Sequence, residues 1–66
     1  MNNYSPMHNT LFEVEYQKTC REQWKTLPNS KFYSQRDAEY IADALRKVVL
    51  NAAVRNTETD EIVYNA

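Results

Sequence analysis

Apolar residues at Ala38, Ile41, Ala42, Leu45, Val48 and Val49 recur at the spacing of a helix that buries one face, and they predict a helix over residues 34–50. Upstream, LFEVEYQK at 11–18 sets Phe12, Val14 and Tyr16 against Glu13, Glu15 and Gln17, the period of two expected of a strand with one buried face. A polar turn at 18–21 leads into a second strand over 22–27, whose large residues Trp24 and Leu27 read, with Phe32, as core. Pro28 ends that strand, because proline lacks the backbone donor a strand interior needs. Asn29 and Ser30 beside it make 28–31 a loop, from which Phe32 and Tyr33 lead into the helix. Beyond Leu50, segments 53–56 and 61–64 predict short strands joined by a turn at 57–60. The order is ββαββ, an α+β fold in which one helix covers one face of a small antiparallel sheet.

The helix carries its own start signal. Ser34 and Asp37 stand in S-x-x-D spacing, so the Ser34 hydroxyl can accept from the Asp37 amide while the Asp37 carboxylate reaches back to the cap. Asp37 and Glu39 suit the positive end of the helix dipole, and Arg46 and Lys47 the negative end. Asp43 and Lys47, four apart, make a surface pair. The chain contains no glycine, so backbone positions with positive φ fall to Asn51, Asn56 and Asp60. The same absence excludes the glycine-rich phosphate loops, whose close backbone approaches only glycine permits.

At 66 residues and 7.8 kDa there is room for one domain, over residues 11–66, burying about 60% of the surface exposed by its unfolded form. Residues 1–10, MNNYSPMHNT, are polar and turn-forming and read as a flexible arm. They lack the greasy stretch of a secretory signal, and no apolar run anywhere approaches membrane-spanning length. The chain therefore reads as cytoplasmic with no membrane partner. Cys20 is the only cysteine, so no disulfide staples so small a core, and association with another chain is expected to supplement it.

Candidate chemistry is sparse. His8, the sole histidine, lies in the arm, which rules out a multi-histidine metal site or a Ser, His and Asp triad drawn from the folded segment. Cys20 stands in a turn beside Lys18 and Arg21, cations of the kind that make a thiol reactive, although an exposed thiol without a role is the commoner case. Glu13 and Glu15 share a strand face, but that face is also where solvated charges belong. The expectation is a protein without catalytic residues, metal or cofactor.

Charge changes the picture more than chemistry does. Residues 1–15 carry Glu13 and Glu15 (−2), residues 16–36 five cations against Glu22 (+4), and residues 37–66 three cations against six acids (−3). Tyr16, Trp24, Phe32 and Tyr33 interleave with the basic stretch, so segment 16–36 could serve as a single-stranded nucleic-acid platform through Lys18, Lys25, Lys31 and Arg36 with Trp24 or Tyr33. Against that stand the acidic pI near 5.7 and the expected burial of Trp24 and Phe32. Eight aromatics exceed what one helix can cover, and exposed aromatics with arginine are what protein interfaces are enriched in. Tyr40, beside the Ala38, Ile41 and Leu45 stripe, is the clearest candidate for an exposed contact.

W24-x-x-L27, F32-Y33-S34, D37-A38 and I41-A42-x-x-L45, followed by the segment 54–64, resemble the pattern of small ββα-type proteins encoded by phages and mobile elements. The resemblance spans residues 11–64 at the level of fold pattern, without a diagnostic motif, and transfers no contact residues. Some such proteins are host-directed inhibitors, and the resemblance implies a larger host or phage protein as partner. The leading expectation is thus a non-enzymatic protein-binding module, with the hairpin around Lys18, Arg21 and Lys25 and the helix flank at Arg36, Tyr40 and Asp43 as its contact surfaces. A nucleic-acid-binding accessory protein is the alternative. Homodimerisation is a further option, with 61–64 as the least protected edge.

Overall fold

A computed structural model describes residues 11–66; the arm expected over 1–10, with Tyr4 and His8, lies outside the described residues. The elements are β1 (Phe12–Gln17), β2 (Lys25–Phe32), α1 (Gln35–Leu45), β3 (Asn51–Asn56) and β4 (Glu61–Asn65). The four strands form one antiparallel sheet in the order β2-β1-β3-β4, with α1 packed on one face. This is the expected ββαββ, α+β arrangement.

The alternation in β1 has the predicted effect. Val14 stands opposite Val54 of β3, and both are fully buried beneath Ala38 and Ala42 of α1. Alanines at these two positions and at Ala52 let the helix backbone come close to the sheet, so the fully buried core is small. Phe12, Tyr16, Leu27, Phe32, Ile41 and Leu45 pack around it half-buried. Each such side chain contributes roughly 1.5–3 kcal/mol when wholly removed from water, and correspondingly less here.

Strand β2 departs from the expectation. It runs through Pro28 to Phe32, where a loop over 28–31 was predicted. Two features make this possible. β2 is an edge strand, and between the pairs Glu15–Thr26 and Glu13–Lys31 the single residue Val14 faces four residues, 27–30. Pro28 and Asn29 sit in that bulge, where no ladder donor is required and where Asn29 takes the left-handed φ of 59°. The buried Ser30 closes the gap: the Val14 N–H donates to Ser30 Oγ (3.2 Å), and the Ser30 hydroxyl donates to the Val14 carbonyl (3.4 Å). A side chain thus replaces the missing backbone partner.

The helix also ends earlier than its apolar spacing predicts. Regular α-helix stops at Leu45, and residues 46–50 continue in tighter turns, with Lys47 N–H donating to the Ala44 carbonyl and Val48 N–H to that of Leu45. A 17-residue helix would be about 25 Å long, whereas a six-residue strand spans about 20 Å. The chain must turn back to begin β3 at Asn51. Val49 still packs on the core, but Val48 does not: it is 75% exposed, and its place in the predicted stripe is corrected accordingly.

Local signals fare better. Ser34 caps α1 by accepting from Asp37 N–H (3.4 Å), although among the described residues the Asp37 carboxylate makes no return bond. The turn at 57–60 forms as predicted, with Asn56 Oδ1 accepting from Glu58 N–H (2.8 Å) and Thr59 N–H (3.2 Å). Positive φ falls at Asp60 (61°) as expected, but the other such residue is Asn29 instead of Asn51 or Asn56. Asn51 lies in the β3 ladder, and Asn56 serves through its side chain.

Candidate functional site

Three regions of the surface carry the residues of interest, and each is built by different elements. The first is the end of the molecule where β1 turns into β2. Tyr16 pairs with Lys25, Gln17 pairs with Asn51, and the Gln17 amide donates to the Glu22 carbonyl (3.0 Å), which folds the connection 18–24 over the sheet end. The last turn of the helix arrives at the same place, since Leu50 N–H donates to the Lys18 carbonyl (3.1 Å). Lys18, Arg21 and Lys25 are exposed there, together with Arg46 and Lys47 from the end of α1. Trp24, 46% exposed, is not the core residue it was expected to be. It precedes β2 at the sheet end and takes no part in the strand ladder.

The second region is the outer flank of α1. Arg36 and Tyr40 are exposed as predicted, Tyr40 at 74%. Asp43 is exposed too, but it forms no ion pair with Lys47: its Oδ1 accepts from the Tyr64 hydroxyl (2.7 Å), tying the helix to β4. That hydrogen bond, with desolvation and the negative charges of Asp43 and Glu39 adding to it, holds the Tyr64 phenol above its ordinary pKa. Gln35 donates to Glu39 (2.8 Å) one turn along. Arg36 lies at the opposite end of the helix from Lys47, whereas Asp43 stands one turn before Arg46.

The third region is the sheet face that α1 leaves uncovered. Glu13, Glu15, Lys31, Ala53, Arg55 and Ile62 lie on it by register. Arg55 reaches Asp60 (2.6 Å), Glu13 (3.3 Å) and Glu15, and the Glu13 and Glu15 side chains are only 18% and 16% exposed. They were expected as solvated charges; the guanidinium instead clamps them over the strands. Its hydrogen bond to Asp60, and after it the two glutamates, raise Arg55 above its ordinary pKa against the opposing pull of desolvation. Arg55 went unremarked in the sequence because its partners lie as far as 42 residues away.

The structure thus joins Lys18, Arg21 and Lys25 in one place and puts Arg36, Tyr40 and Asp43 in another. The basic platform proposed over 16–36 is divided, because Lys25 shares the helix face with Tyr16 while Lys31 lies opposite Glu13 on the other. Arg46, Lys47, Val48 and Leu50 are the contributors that sequence reasoning missed at the hairpin end. Cys20 is an exposed free thiol in the same turn. Among the described residues no group of three or more His, Cys, Asp or Glu side chains could hold a metal ion, and no helix is long and apolar enough to cross a membrane. Compared with known protein families, curated proteins and solved structures, the chain matches none.

Proposed function

We propose that the chain is a non-enzymatic protein-binding module that acts by occupying the surface of a larger protein, as an inhibitor or modulator of the kind that small phage proteins supply. One observation carries this reading. Six large apolar side chains stand exposed on so small a domain: Trp24 (46%), Tyr33 (69%), Tyr40 (74%), Val48 (75%), Leu50 (42%) and Ile62 (45%). Single exposed apolar residues are ordinary, but a domain with so little core to spare gains nothing in stability from leaving its aromatics in water. Capture from the cells that express the protein, followed by quantification of the bound fraction, tests the reading. A protein retained in stoichiometric amount across several salt concentrations is expected; retention of none would overturn it.

A nucleic-acid-binding role is the second reading, favoured by the half-exposed Trp24 beside Lys25. It requires affinity for labelled single strands that falls steeply with salt, because phosphate contacts release counterions. Absence of binding at protein concentrations of about 100 μM in low salt, near the weak end of ordinary nonspecific affinity, would remove it.

A further inference from the structure

The fold regroups the cations of the basic stretch, leaving Lys31 and Arg36 elsewhere and bringing Arg46 and Lys47 to Lys18, Arg21 and Lys25. Lys18, Arg21, Lys25, Arg46 and Lys47 all lie at the hairpin end, against Glu22 and against Asp43 one helical turn before Arg46, a net charge of +3. The rest of the described chain holds three cations and seven acids, a net charge of −4. All three ion pairs among the described residues are made by Arg55 on the open sheet face, so the five cations of the hairpin end have no carboxylate partner. Standing among them are Trp24, Val48 and Leu50, half of the large exposed apolar residues of the domain. Leu50 is held against Lys18 by its backbone hydrogen bond, Val48 follows Lys47, and Trp24 precedes Lys25.

Unpaired cations around exposed apolar side chains reproduce the anatomy of one half of a protein interface, an apolar centre with a charged rim. We propose that the hairpin end is the docking surface of the module and that its partner is a protein surface whose acidic rim surrounds an apolar pocket. This rests on the protein-binding reading and specifies its partner. Complementary charge would steer the encounter and set its orientation, and the apolar residues would slow dissociation. A nucleic acid fits less well. The open strand face holds three carboxylates, Glu13, Glu15 and Asp60, around the single guanidinium of Arg55, an excess of negative charge that disfavours phosphates, and two of the three exposed apolar residues at this end are aliphatic.

The test is a titration of the isotope-labelled full chain, followed by amide chemical shifts, with four probes: a synthetic peptide alternating Asp or Glu with Leu and Phe, poly-glutamate, a thymidine oligonucleotide and anionic phospholipid vesicles. The expected result is a response to the peptide confined to residues 18–25 and 46–50, at an affinity about tenfold or more above that of the other three probes. Joint charge reversal of Lys18→Glu, Arg21→Glu and Lys25→Glu should weaken peptide binding at least about tenfold, as should Trp24→Ala with Leu50→Ser, while Lys31→Glu changes it less than about twofold. Unchanged melting of the variants would show that they remain folded. The proposal is overturned by a peptide response elsewhere or none, by equal affinity for poly-glutamate, or by tighter binding of the oligonucleotide or the vesicles. A mass that rises with concentration in sedimentation equilibrium, and no longer does so in the charge-reversed chain, would assign the end to a second copy and overturn it as well. Capture from cells separates this proposal from the reading beneath it: a partner retained equally by the charge-reversed chain ends the docking assignment and leaves the protein-binding module standing, whereas no partner for the unaltered chain ends the module.

Discussion

Ser30→Ala removes one oxygen and should destabilise this domain more than any other single-atom deletion in it. In the native fold that oxygen accepts from the Val14 N–H (3.2 Å) and its proton goes to the Val14 carbonyl (3.4 Å), at a position where Ser30 is 2% exposed. β1 is an inner strand, and Val14 directs these two groups toward β2, so the bulge offers them no backbone substitute. Leaving a buried donor or acceptor unmet costs about 1–3 kcal/mol, and because the bond to the carbonyl is long at 3.4 Å and contributes at the low end, losing both partners should cost about 2–4 kcal/mol. A 66-residue domain has on the order of 3–10 kcal/mol in total. The melting temperature should accordingly fall on the order of 10–25 °C. Circular dichroism melts and urea titrations give the stability, and amide exchange gives the location: the Val14 amide should lose protection selectively. Ser34→Ala is the control, since it deletes the same group at an exposed cap bond of 3.4 Å and should cost only about 0.5–1 kcal/mol. Equal losses at the two serines, or an unchanged Val14 exchange rate in Ser30→Ala, would refute the reasoning.

Three further outcomes follow from the same geometry. Arg55→Met leaves Glu13 and Glu15 without their shared cation on a half-buried face and should lower stability by about 1–2 kcal/mol in urea titrations, with Glu15→Gln restoring part of it in the double variant. Asn29→Val forces a β-branched residue into a φ of 59° and should cost about 1–2 kcal/mol, whereas Asn29→Gly should stay within about 0.5 kcal/mol of the parent in the same assay. Because Tyr64 has a raised pKa in the fold, its stabilising link to Asp43 is fully present below the ordinary tyrosine value and is lost as pH rises through the raised one. Tyrosinate absorbance in alkaline titration should therefore show a late component that Tyr64→Phe abolishes and Asp43→Asn moves to lower pH.

What is legible in the residues themselves is whatever depends on near neighbours. The alternation of β1, the Ser34 cap, the turn at 57–60 and the positive φ at Asp60 each need only a few consecutive residues to declare themselves, and each is found where expected. The cations Lys18, Arg21 and Lys25 and the exposure of Tyr40 were legible for the same reason. Pro28 misleads because a proline is judged by its own missing donor, while its tolerance depends on β2 lying at an edge and on Ser30 reaching Val14, 16 residues away. The end of α1 is set by the length of the strands beneath it, not by its own spacing, so Val48 left the core pattern to which its position assigned it. Arg46, Lys47, Val48 and Leu50 join the hairpin cations only because the helix runs back along the sheet, and Arg55 meets Glu13 and Glu15 only through the pairing of β1 with β3. Periodicity, caps and turns are local energies carried by the chain as text; where charges and exposed rings gather depends on contacts between distant segments, which exist only once the sheet has assembled.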